Sequence, residues 1–123
     1  MITQTDNTLS TYQMFGEKLR INFDEQQITV KDMDGNERIA YQYTTAESLC
    51  AASRGDLIND IIKSKYTTAG EFAAINNAQD DPQEYAEYQA FRTQAKQLAD
   101  GWLNTFAQLE VKPEDSAKSE TAQ

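Results

Sequence analysis

"KLRINFDEQQITVKDMDGNERIAYQYT", residues 18–44, decides the fold. In its first part Leu19, Ile21 and Phe23 alternate with Lys18, Arg20 and Asn22. Alternation of apolar and polar residues puts one kind on each face of an extended chain, the pattern of a half-buried strand. "QITVK" repeats it with Ile28 and Val30, and "RIAYQYT" with Ile39, Tyr41 and Tyr43. Between the first two runs lies "DEQ", which reads as a tight turn. Asp34-Gly35 separates the second and third runs. Glycine accepts the positive φ that hairpin turns need, so this pair predicts a hairpin. The expectation is a three-stranded antiparallel meander with one apolar face.

Downstream the period changes from two to between three and four. Thr45 reads as a helix cap, followed by Leu49, Cys50, Leu57, Ile58, Ile61 and Ile62 at helical spacing, to an end near Tyr66. Thr68-x-x-Glu71 has the form of a capping box for a short helix carrying Phe72 and Ile75, ended by Asn76-Asn77. Asp81-Pro82-Gln83-Glu84 is the clearest helix start: Asp81 caps, Pro82 takes the first turn and Glu84 follows at the third position. Tyr85, Tyr88, Phe91, Ala95, Leu98, Trp102, Phe106 and Leu109 then form one apolar stripe, interrupted by Gly101, which reads as a bend or an early end. The predicted class is therefore α+β: the meander, then two to three helices, the last long and amphipathic. Residues 1–13 read as a flexible polar arm, residues 14–110 as a single domain and residues 111–123 as a disordered polar tail.

Composition narrows the function. The 123 residues carry a net charge of −9 and include no histidine and one cysteine. Without histidine, Ser-His-Asp and Cys-His catalysis and histidine-containing zinc sites cannot be built within the chain. A single cysteine excludes an intrachain disulfide, in keeping with a cytoplasmic setting. The five glycines are isolated, so there is no glycine-rich phosphate loop. Positive charge is not concentrated in any segment, which argues against direct binding of nucleic acid or of an anionic membrane. No apolar run approaches the roughly 20 residues of a membrane span. The N-terminus lacks the basic and apolar regions of a signal peptide. These features predict no catalytic, cofactor-binding or metal-binding residues, and a protein that is not an enzyme.

Three motifs invite functional readings. Arg54-Gly55-Asp56 spells an integrin-type triplet, but it lies within a helical period and reads as structural, with Arg54 and Asp56 facing solvent. Gly55 lowers helix propensity and leaves open a break there, with Ser53-x-x-Asp56 as a new helix start. "DMDGNE" resembles the opening of a calcium loop, yet counting from Asp32 the glycine falls fourth and Tyr43 twelfth, where an EF-hand needs glycine sixth and glutamate twelfth. Cys50 falls on an apolar helix face and reads as a structural thiol.

Two surfaces remain as candidates. A helix of about 28 residues would be about 42 Å long, whereas strands of five to seven residues span about 17–24 Å. The long helix would overhang its sheet, leaving Leu98, Trp102, Phe106 and Leu109 to meet a protein partner, another copy of the chain included. Asp80, Asp81, Glu84 and Glu87 form an acidic patch at the start of the same helix. Helix capping accounts for acidic residues there; the functional reading is a surface that mimics nucleic acid and blocks a host enzyme that binds it. A two-carboxylate hydrolase has no sugar cleft marked for it.

"LINDIIKSKYTTAGEFAAINN" followed by "EYAEYQAFRTQAKQLA", within residues 57–99, resembles small proteins encoded by phages and prophages among virion and tail-region genes. The resemblance rests on a "KY…E…A…N…YxxYxxxR…AK" pattern covering about a third of the chain, and carries no catalytic residue with it. It implies a structural or assembly-associated role through protein–protein contacts, in the host cytoplasm or incorporated into a virion.

Overall fold

The computed structural model of the chain describes residues 1–122, with side chains described through Leu109. The order of elements is β1 (Ile2–Thr5), β2 (Tyr12–Phe15), β3 (Lys18–Lys31), β4 (Glu37–Leu49), α1 (Arg54–Lys63), α2 (Thr68–Asn76) and α3 (Pro82–Ala122). The four strands form one antiparallel sheet in the order β1-β4-β3-β2. The fold is α+β, as the periodicities predict. The tail expected over residues 111–123 lies outside the fully described residues.

The sheet has four strands rather than three, and they are cut differently. "DEQ" is not a turn. Phe23 pairs with Thr44 and Gln26 with Gln42, which leaves Asp24 and Glu25 opposite Tyr43 as a β-bulge. Asp24 adopts φ +53°, a left-handed conformation that Asp tolerates better than most residues. The bulge explains a phase shift in the sequence: Leu19, Ile21 and Phe23 are at odd positions, Ile28 and Val30 at even ones. One extra residue returns Ile28 and Val30 to the face that Phe23 occupies, so β3 runs unbroken through both expected strands. The Asp34-Gly35 hairpin forms as expected. Gly35 has φ +84°, and the Asp32 Oδ1 accepts from the backbone N–H groups of Asp34 and Asn36, each at 3.0 Å.

The N-terminal segment expected as a flexible arm supplies both edges of the sheet. Ile2–Thr5 pair with β4 over Tyr41–Thr44, and Tyr12–Phe15 pair with β3 over Lys18–Ile21. These four-residue stretches show no period of their own, and the partner strand imposes their extended form.

The helix expected from Thr45 starts only at Arg54. Thr45 is buried in β4 beside Thr44 and Ala46, and the strand continues to Leu49. Its ladder with Lys18–Asn22 outweighs the helical spacing of Leu49 and Cys50. Ser53 caps α1 by accepting from the Asp56 N–H at 3.2 Å. Thr67, one residue before the expected cap, does the same for α2 with Gly70 at 3.0 Å. Phe72 and Ile75, the large apolar residues of this short helix, are exposed on α2, whose buried residue is Ala74. Asp81 caps α3 as expected, accepting from the Glu84 N–H at 3.0 Å.

The core lies between one face of the sheet and the helices. Leu19, Ile21, Phe23 and Ala46 meet Leu57, Ile61 and Ile62 of α1 and Phe91, Ala95, Ala99 and Trp102 of α3. Gly101 does not break α3. It makes room for Tyr12, whose hydroxyl would lie 2.4 Å from a Cβ at that position and donates instead to the Leu98 carbonyl at 2.7 Å.

Candidate functional site

The residues expected to face a partner on α3 divide by burial. Trp102 is 1% exposed. Its ring packs against Tyr12 at 5.6 Å and stacks on Phe106 at 5.3 Å, while its indole N–H donates to the Cys50 carbonyl at 3.0 Å. Leu98 and Phe106 are partly buried against the same core. Leu109 is exposed. Trp102 is thus an internal anchor and not a free surface residue: β4 continues to Leu49 and brings the Cys50 carbonyl to it, and β2, which carries Tyr12, covers the part of the helix expected to project.

The acidic residues are where the sequence places them. Asp80, Asp81, Glu84 and Glu87 are all exposed, with Asp81 committed to the cap of α3. Among the described residues no three Cys, Asp or Glu side chains come close enough together to hold a cation. No helix among them is long and apolar enough to cross a membrane.

Arg54 and Asp56 sit in the first turn of α1. The Arg54 guanidinium donates to both carboxylate oxygens of Asp100 on α3, at 2.7 and 3.3 Å, and holds that carboxyl below its ordinary range. The triplet therefore ties α1 to α3. Cys50 is buried, with its Sγ 3.4 Å from the Lys18 carbonyl oxygen.

The surface that sequence reasoning missed is the helix-free face of the sheet. Its middle is covered: the segment between β1 and β2 crosses it, and a polar network lies beneath. The Asn22 Nδ2 donates to the Ser10 carbonyl at 3.0 Å and to Gln13 Oε1 at 2.8 Å, the Thr45 hydroxyl donates to Asn22 Oδ1 at 2.8 Å, and Thr3 bonds Thr45 at 2.8 Å. The Tyr43 hydroxyl accepts from the Leu9 N–H at 2.8 Å and donates to Glu25 at 2.6 Å. Burial, then the Glu25 carboxylate, raises the Tyr43 phenol above its ordinary value.

Beyond that cover the face is open. Phe15 pairs with Lys18 and Lys18 with Leu49, so these three side chains stand in one row across β2, β3 and β4. The next row is Gln13, Arg20 and Glu47. Phe15 is 51% and Leu49 55% exposed. The Arg20 guanidinium lies over the Phe15 ring at 5.1 Å and approaches Glu47 at 3.4 Å. These residues line a shallow concavity of about 450 Å³. The arrangement offers apolar contact beside charges already held in place. No local period in the sequence marks it, because Phe15 and Leu49 meet only through the register of β2, β3 and β4.

The chain matches no protein-family model, no curated protein and no solved structure.

Proposed function

We propose that the chain is a non-enzymatic protein that works through protein–protein contacts, as a structural or assembly-associated component of the phage or prophage class that residues 57–99 resemble. The observation that carries this is the exposed Phe15–Lys18–Leu49 row with Arg20 held over Phe15. Large apolar side chains grouped on one open sheet face and rimmed by charge are what a protein partner buries. On this reading the binding surface is the open part of the helix-free face of the sheet, with the exposed Leu109 of α3 a separate contact. The protein acts in the host cytoplasm or in a virion, without a cofactor and without direct binding to nucleic acid or membrane.

The test is a pull-down from cells that naturally encode the protein, comparing the wild-type chain with the Phe15→Ser/Leu49→Ser double variant. Both positions are exposed, so the variant should fold. Near-stoichiometric recovery of other particle proteins by the wild type, and their loss with the variant, is the expected result. Equal recovery by the two would remove this face from the interface. A second reading keeps its basis in the exposure of Asp80, Asp81, Glu84 and Glu87: an acidic inhibitor of a host nucleic-acid-binding enzyme. It predicts recovery of one such enzyme, binding that falls steeply with salt, and loss of binding on charge reversal at Asp81 and Glu84.

A further inference from the structure

We propose that a second copy of this chain pairs with the open edge of β3, antiparallel and centred on Ile28, joining two four-stranded sheets into one. The proposal concerns a different surface from the Phe15–Leu49 face and stands independently of it.

The edge is long and unguarded. β2 covers β3 only over Lys18–Ile21, with one further bond from the Asn22 N–H to the Thr11 carbonyl at 2.7 Å. From Gln26 to Lys31 β3 pairs with β4 alone, and no other strand among the described residues reaches it. Sheet edges left to solvent are usually blunted by a charge, a proline or a bulge. Here "QQITV", residues 26–30, has neither charge nor proline and holds three β-branched residues. The bulge lies before this stretch, at Asp24-Glu25.

The backbone fixes which groups face outward. The Asp32 N–H donates to the Asn36 carbonyl at 2.9 Å, and the Asp32 carbonyl accepts from Gly35 at 3.0 Å, so Asp32 turns both groups toward β4. Alternation along the strand then turns the N–H and C=O of Lys31, Thr29 and Gln27 outward. In the Ile28-centred register, Gln27 of one copy meets Thr29 of the other, both with outward groups, and exchanges hydrogen bonds with it. Ile28 meets its own mate at a close, non-hydrogen-bonded position. Gln26 meets Val30.

Charge selects this register. Glu25 and Lys31 share the helix-free face: the Glu25 carboxylate accepts from Tyr43, and Lys31 pairs with Glu37 on that side. Centring on Ile28 places Glu25 of each copy opposite Lys31 of the other, twice by symmetry. Opposite charges across a ladder favour pairing, and like charges oppose it. The register also brings Asp24 toward Asp32, but donors of the same chain engage both carboxylates: Lys65 at 3.3 Å and Gln94 at 2.8 Å for Asp24, and two backbone N–H groups for Asp32. The turn of the partner hairpin then falls next to Phe23, just past the bond from the Asn22 N–H to Thr11 that ends the cover of this edge.

Sedimentation velocity on the full chain, with and without Thr29→Pro, is the first measurement. Proline at position 29 removes an outward N–H and spares the ladder to β4, so circular dichroism should be unchanged. The wild type should sediment at about twice its 13.9 kDa mass, and Thr29→Pro should raise the dissociation constant about 100-fold or more. Lys31→Glu should raise it about 10-fold. Cross-linking keeps the proposal decidable should Thr29→Pro fail to fold. In a Cys50→Ser background, Ile28→Cys should form a disulfide-linked dimer with diamide as oxidant, since facing residues at such positions lie within disulfide reach. Gln26→Cys should do so only when mixed with Val30→Cys. A monomer at about 200 µM, a dimer indifferent to a folded Thr29→Pro variant, or a dimer that Ile28→Cys does not cross-link would each overturn the proposal.

Discussion

The indole N–H of Trp102 donates to the carbonyl of Cys50, joining the middle of α3 to the point where the chain leaves β4. Both residues are buried, so this bond spans the core between sheet and helix. Removing the Trp102 side chain should cost about 3–5 kcal/mol, the range for deleting a buried aromatic. Trp102→Phe keeps most of the volume but leaves the carbonyl unpaired, and should cost about 1–3 kcal/mol. Urea unfolding followed by circular dichroism measures both. A Trp102→Ala protein as stable as wild type would return this residue to the surface.

Gly101 and Tyr12 make a paired prediction. Alanine favours helices over glycine by about 1 kcal/mol, so Gly101→Ala should stabilise an isolated α3. In the folded chain the added Cβ would meet the Tyr12 hydroxyl at 2.4 Å. Displacing that hydroxyl breaks its bond to Leu98, and the net effect should be a loss of about 1–2 kcal/mol. Removing the hydroxyl leaves the ring carbon at 3.4 Å as the nearest atom. Gly101→Ala combined with Tyr12→Phe should therefore be more stable than Gly101→Ala alone. Thermal melts of the four proteins in the cycle decide this; additive effects would show that the two residues do not touch.

The Arg-Gly-Asp triplet should behave as helix structure. The Arg54–Asp100 pair is about half exposed on both sides, so solvent screens it and Arg54→Ala should change stability little. Ser53→Ala removes the cap of α1 and should cost about 1 kcal/mol. Asp56→Ala should leave the fold and any partner binding nearly unchanged. Chemical denaturation ranks the three variants, and loss of partner binding by a folded Asp56→Ala protein would make the triplet a recognition site.

Acid should loosen the contact between α2 and α3. Burial alone would raise the Glu71 carboxyl, but hydrogen bonds from Lys63 at 2.9 Å and Tyr88 at 2.7 Å outweigh it and hold the group below its ordinary 4.5. A value depressed by folding contributes stability that is fully present above the unfolded value and is lost as pH falls through the folded one. Stability should thus decline as pH drops below about 4.5, and Glu71→Gln should flatten part of that decline. Tyr88 gives the alkaline counterpart. Burial, then Glu71, raises its phenol above the ordinary 10.0, so its contribution is present below that value and is lost as pH rises through the folded one. Urea midpoints measured across the pH range test both ends.

Local patterns determine several elements without any tertiary contact. Gly35 marked the hairpin because the turn needs a positive φ at that residue. Asp81 and Pro82 marked the start of α3, and its apolar stripe supplied Tyr88, Phe91, Ala95 and Trp102 to the core. These signals are carried by neighbours in the chain, through capping, turn geometry and helical spacing, and so the sequence alone determined them. Pairing decided the rest. Ile2–Thr5 and Tyr12–Phe15 are extended because β4 and β3 offer them open edges. Thr45 to Leu49 remain strand because Lys18–Asn22 pair with them. The odd-to-even shift between Phe23 and Ile28 becomes a bulge only when Tyr43 stands opposite it. The surfaces followed the same division. The stripe on α3 was legible, but not that Tyr12 and Cys50 would enclose Trp102, nor that Phe15 and Leu49 would stand in one exposed row. Residues far apart in the chain meet only through the register of the sheet, and no local period records that register.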